Sequence, residues 1–172
     1  SVAKVSQGLG VILGADGKKA YLAGLIHDLG RCVKVRDYIR IALKNNLVPR
    51  KQLALYRKNP FLLHPYISAY LARKIFAIND KEILNAAKNH TIMTTKNKAG
   101  IYDKIVYVSD AISGDRRYPG VEKIRNVALR GDIDKAVFLT SAMKLSYVIK
   151  KKKYLAPDGI KVYNSFLPQG YK

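Results

Sequence analysis

A chain of 172 residues, 48% of them hydrophobic, is long enough to bury one real core and too apolar for wholesale disorder. It has no run of about 18 uninterrupted apolar residues, no signal-peptide pattern at its start and a single cysteine, Cys32; these exclude a membrane span and an internal disulfide framework and predict a cytoplasmic location. The 32 Lys+Arg against 12 Asp+Glu leave a net charge of +20, a field that attracts polyanions, nucleic acid among them, unless it only reflects the lysine-rich coding of an AT-rich genome.

Apolar periodicity predicts helices nearly throughout. Residues 2–14 form the first, broken at Gly14-Ala15-Asp16-Gly17, and 18–28 the second, nearly all apolar from Ala20 to Ile26 as in a core helix. Helix 33–45 alternates basic and apolar positions and stops at Asn45-Asn46, and a short helix over 50–57 ends at Asn59-Pro60. Pro65, in a first turn, starts helix 63–77 at His64, and Asn79 or Asp80 caps a helix running to about His90. Segment 94–98 is a polar loop. Helix 100–112 carries Ile101, Ile105, Val108 and Ile112 on one face, 114–120 is a turn, and 121–130 and 132–150 complete the body. Beyond a charge run at Lys150 to Lys153, Pro157-Asp158-Gly159 reads as a turn and "IKVYNSF" as an extended, strand-like segment. The expectation is a single all-α domain, 1–172, with a helical body over 1–150 and an irregular C-terminal tail over 151–172 packed on it.

The chain has only three histidines, and each falls at or beside a predicted helix end: His27 in "LIHDLG", His64 in "LLHPYISAYLA" and His90 in "AAKNHTIMT". Singly, each reads as a helix-end residue. Two carboxylates change the balance: Asp28 directly follows an apolar helix, and Asp110 lies inside "KIVYVSDAIS", where a buried carboxylate needs a partner. Imidazole and carboxylate donors suit Fe, Mn, Co or Zn, and a bundle that gathers such donors from several helices can build a two-metal site.

In order along the chain, "AYLAGLIHDLGR", "HPYISAYLA", "EILNAAKNHT" and "DKIVYVSDAISGDRRYPGVEKIR", with "VYNSF" in the tail, resemble the HD-domain superfamily. More narrowly, they resemble the YqeK family of HD-type symmetrical bis(5′-nucleosyl)-tetraphosphatases. The resemblance implies an all-α HD bundle with two metal ions, iron first and Mn, Co or Zn as alternatives. It implies His27, Asp28, His64, His90 and Asp110 as ligands, with Asp28 bridging and catalytic. It further implies symmetrical hydrolysis of diadenosine tetraphosphate to two ADP. Arg31 matches a basic family position beside the metals, and Arg116 matches an arginine that would grip a phosphate; Thr91 would support His90 or donate to a phosphate. Glu122 and Arg125 read instead as a structural ion pair at (i, i+3) spacing.

The match departs from the family in places. A further histidine, a few residues before "VA", has no counterpart in a chain that starts at Ser1, so the expectation is a truncated chain that holds one metal weakly. Some family members carry a nicotinate-nucleotide adenylyltransferase domain upstream, which would then precede Ser1; a homodimer is also compatible with the sequence. Ile92-Met93, Ser109, "SGD" at 113–115 and Ser68 depart from the usual residues around the nucleotide side. The alternatives are an HD phosphohydrolase of another nucleotide or phosphate ester, and a catalytically weakened basic module that binds nucleic acid or assembles with a partner.

Overall fold

A computed structural model describes residues 2–169, and among them there are ten α-helices and no strand. Helix α1 (Val2–Ile12) packs closely on α2 (Gly17–Ile26) because both present small residues at the crossing. A Cβ added at Gly24 would come within 2.6 Å of Ser6 Oγ, so only glycine permits that approach. The small stripe Ala20, Ala23 and Gly24 faces α1, which leaves Leu25 and Tyr21 outside; α2 is therefore a half-exposed helix rather than the wholly buried one its apolar run predicts. Asp16 starts it by accepting from the amides of Lys18 and Lys19.

After α2 the chain makes 3₁₀ turns at Leu29–Cys32 and Val35–Asp37, so the helix expected from residue 33 begins only at α3 (Tyr38–Lys44). A further 3₁₀ turn at Arg50–Gln52 leads into α4 (Leu53–Lys58), and another at Pro60–Leu63 leads into α5 (His64–Phe76). Asp80 caps α6 (Lys81–Asn89) by accepting from the amides of Glu82 and Ile83. The central helix is α7 (Ile101–Ile112), buried from Ile105 to Ser109 without a break and packed on α1, α2, α6, α8 (Val121–Leu129) and α9 (Ile133–Lys150). Glu122 and Arg125 do pair along α8, and the Arg125 guanidinium also donates to the Ile112 carbonyl, pinning α8 to the end of α7.

The tail corrects the expectation. Pro157 does not open a turn but sits in the first turn of α10 (Pro157–Ser165), and "IKVYNSF" is helical, not extended. Val162 and Phe166, four apart, are both buried against the body. That spacing is helical, and it outweighs the β-branched and aromatic composition that reads as strand.

Two apolar clusters result. The larger gathers α1, α2 and α6 to α10; the smaller, around Tyr38, Val48, Tyr56, Leu63 and Ile67, joins α3, α4 and one side of α5. All three histidines lie where these clusters meet.

Candidate metal centre

Each histidine is aimed by main chain. His27 closes α2, His64 opens α5 and His90 closes α6. In all three, Nδ1 lies 2.7 Å from the carbonyl oxygen three residues earlier: Gly24, Phe61 and Ala87. A carbonyl can only accept, so the hydrogen-bond network assigns each ring proton to Nδ1 and leaves each Nε2 with a bare lone pair.

Those lone pairs converge. His64 Nε2 and His90 Nε2 are 3.0 Å apart, and two acceptor nitrogens cannot bond one another at that distance. Asp28 lies among them, with Oδ1 3.3 Å from His64 Nε2 and 3.4 Å from His90 Nε2, and Oδ2 3.4 Å from His27 Nε2. Donor atoms of His27, Asp28 and His90 all fall within 4.8 Å of one another. Arg31 Nε is 2.8 Å from Asp28 Oδ1, yet that buried oxygen has no aligned hydrogen bond among the described residues. Facing lone pairs and an unsatisfied carboxylate oxygen, all buried or partly buried, are a donor set suited to an electrophile, and imidazole with carboxylate fits a divalent transition-metal ion.

Protonation follows the same logic. Burial pulls His90 down to about 4 despite its contact with Asp28, so its ring is neutral near pH 7. Burial also works against the charged form of His27, but its contact with Asp28 outweighs this and the net shift is upward.

The remaining predicted residues border this cluster. Thr91 Oγ1 is 3.3 Å from His64 Nε2, so it attends His64 rather than His90. Asp110 Oδ1 is 4.0 Å from His27 Nε2 and 2.8 Å from Arg116 Nη2, while Arg116 Nε donates to the Asp110 carbonyl at 3.0 Å. Arg116 thus grips Asp110 at two points. A lysine keeps the charge but cannot make both bonds, so Arg116→Lys is expected to weaken metal affinity about 10–100-fold, read by competition with a chelator. Burial raises the Asp110 carboxyl, but Lys144 and the neighbouring histidines and arginine outweigh it and lower the net value.

Lys144 is the residue that sequence reasoning missed. Its ammonium donates to the His90 carbonyl at 2.9 Å, lies 3.8 Å from Asp110 Oδ2 and sits 3.9 Å from the centre of the Tyr107 ring. Desolvation pushes it down to about 8, with Asp110 opposing. Nothing in its sequence surroundings separates it from the other lysines of α9.

A second linkage fixes the 27–28 turn to α5. The Gly30 amide donates to Ser68 Oγ at 2.8 Å, Ser68 Oγ donates to the His64 carbonyl at 2.9 Å, and Tyr38 Oη donates to the Gly30 carbonyl at 2.9 Å. Ser68 is therefore a buried strut. The cluster opens to solvent through a cleft of about 720 Å³ lined by His27, Asp28, Arg31, Asp110 and Arg116, with Val2 and Ala3 of α1 on its wall.

The chain is similar to several known proteins. A family model described as HD domain matches residues 1–115. A symmetrical bis(5′-nucleosyl)-tetraphosphatase of Halalkalibacterium halodurans is 30% identical over 92% of this chain and 81% of its own length. One of Bacillus subtilis is 28% identical over 88% of this chain and 77% of its length. A Mycoplasma genitalium protein, described as a probable nicotinate-nucleotide adenylyltransferase/Ap4A hydrolase, is 33% identical over 67% of this chain but 31% of its own. A crystal structure from Clostridium acetobutylicum, described as a predicted HD superfamily hydrolase involved in NAD metabolism, superposes with a TM-score of 0.83 at 28% identity, covering 96% of this chain and 84% of that one.

Proposed function

The chain belongs to the HD domain family, and from that premise we propose that it is a metal-dependent phosphohydrolase that cleaves diadenosine tetraphosphate symmetrically into two ADP. The observation that carries this reading is the approach of His64 Nε2 and His90 Nε2 to 3.0 Å around Asp28, with both ring protons spent on main-chain carbonyls. His27, Asp28, His64, His90 and Asp110 would hold two ions, iron first among Fe, Mn, Co and Zn. Such ions, when bound, lower the pKa of water towards about 7 and polarise phosphoryl oxygens.

The chain's own residues do the rest. Main-chain carbonyls fix the three imidazoles in one tautomer, which orients their donors before any ligand arrives. Arg31, half-exposed beside Asp28, and Arg116 on the cleft wall offset the charge of a polyphosphate. The cleft, at about 720 Å³, has the volume for a phosphate chain, and Arg31 and Arg116 in its lining agree with an anionic substrate. In the overall reaction water adds at one of the two central phosphorus atoms, the central P–O bond breaks, and its electron pair leaves on the second ADP.

The Mycoplasma relative's name motivates a further proposal, that this domain works beside a nicotinate-nucleotide adenylyltransferase domain. The principal test is product analysis. The protein, supplied with ferrous or manganous ion and diadenosine tetraphosphate, is expected to release ADP as the only nucleotide. AMP with ATP would overturn the symmetrical cut, and full metal content without turnover would overturn the substrate.

A further inference from the structure

Thr91 and Lys144 border the metal centre on one side and a separate cavity of about 240 Å³ on the other. That cavity lies between residues 91–93, the second half of α9 and the tail through α10. Met93, Leu145 and Val162 make its walls apolar. Tyr147 and Tyr154 line it too, and both remain substantially exposed at 51% and 42%. Its only charged lining residues are Lys144 and Lys153, and among the described residues no carboxylate faces it.

This combination selects a ligand. Apolar walls with partly exposed tyrosine rings favour a flat π-system, since stacking on tyrosine is tolerant of ring identity, and the flexible Lys58 and Lys153 ammonium groups over those rings can swing aside. The Asn59 amide, also in the lining, offers a donor and an acceptor to a ring edge. Lys153, with no acid against it among the described residues, and Lys144, which shares Asp110 with Arg116, favour an attached anion. The volume falls just below the roughly 300–1,000 Å³ of sites for drug-sized ligands, room for one ring system and not for a dinucleotide. Lys144 joins the two compartments: one of its three N–H groups is spent on the His90 carbonyl, and its position 3.8 Å from Asp110 Oδ2 puts the others at the edge of the metal centre.

We propose that this cavity takes one nucleobase of the dinucleoside polyphosphate, with Lys144 on the phosphate between that nucleoside and the point of cleavage. The assignment rests on the hydrolase reading. It makes the two halves of the substrate unequal: one base is enclosed, and the other lies in the wide cleft beside Arg31 and Arg116.

Calorimetric titration of the metal-loaded protein with ADP and with pyrophosphate tests this. The wild type is expected to bind ADP at least about tenfold tighter than pyrophosphate, the value of one stacked base. Gly159 lines the cavity, and a Cβ there would meet only Leu145 Cδ2, at an ordinary 3.5 Å, so Gly159→Phe can fill the space from α10 without backbone strain. It is expected to bring ADP affinity down to that of pyrophosphate. Tyr154→Ala, at an exposed rim position, is expected to lower ADP affinity about tenfold and guards against a folding defect in the first variant. An ADP advantage that survives both variants, or is absent from the wild type, overturns the pocket while the hydrolase reading stands. A metal-loaded wild type that binds neither ligand and cleaves no tetraphosphate overturns both.

Discussion

Asp28→Asn is expected to strip the protein of metal and of activity while leaving its fold intact. The Asp28 carboxylate is the one group within 3.4 Å of all three Nε2 atoms, and it carries negative charge to a place where three lone pairs already converge. An amide keeps the shape and loses the charge, so turnover should fall on the order of 10³-fold, the scale of removing one essential electrostatic partner from a preorganised site. Stability should respond differently. Without metal, Asp28 is a partly buried carboxylate whose Oδ1 lacks an aligned bond, a cost carried for function. In chelator the variant should therefore melt within about 3 °C of the chelated wild type, since a domain of this size shifts about 2–4 °C per kcal/mol. A large loss of melting temperature, or metal content equal to wild type, would sink the central role of Asp28.

Gly30→Ala is expected to do the reverse and damage the fold first. A Cβ at Gly30 would lie 2.2 Å from the His64 carbonyl oxygen, 3.0 Å from the His64 carbonyl carbon and 3.1 Å from the Ser68 amide nitrogen. All three are main-chain atoms of α5, so no side chain can swing aside. Gly30 is not in the left-handed region, and the penalty is therefore steric alone. Parting the 29–32 turn from α5 would also break the Gly30–Ser68 hydrogen bond. A loss of about 3 kcal/mol, hence roughly 6–12 °C in chelator, is the expected result. Gly8→Ala is the control: it sits in α1 with open space around its Cβ, and it should be neutral or stabilising. If both substitutions melt with the wild type, the close approach of turn and helix is wrong.

Much of this was legible in the sequence. The Asp80 cap is a local signal, because it satisfies amides two and three residues away; Asp16 and Asp132, read only as breaks between helices, cap α2 and α9 in the same way. The three histidines were legible for a related reason: each stands at a helix end, and a helix end fixes where a side chain points. The contacts that span the fold were not. Ser68 becomes a strut only once Gly30 lies against it, 38 residues away in sequence. Arg116 reads as a phosphate ligand from its position after Asp110, and the structure adds its bond to the Asp110 carboxylate, a partner the sequence did not suggest. Lys144 is hidden by composition, one cation among 32, and only the fold brings it to His90 and Asp110. The tail misled because its residue types favour strand while its spacing, Val162 to Phe166, is helical.

The junction of the two apolar clusters has a consequence for cooperativity. Ile67, with Leu63 just before the helix, holds α5 to the smaller cluster, while Ala69 and Ala72 hold it to the larger. His64 enters the centre from α5, whereas His27, His90 and Asp110 enter from α2, α6 and α7 of the larger body. An ion held by both sets acts as a further cross-link between two units otherwise joined through α5 and the Tyr38–Gly30 hydrogen bond. Loaded protein should then open as a single unit, and metal loss should free the α3–α4 lobe to exchange its amide protons ahead of the rest.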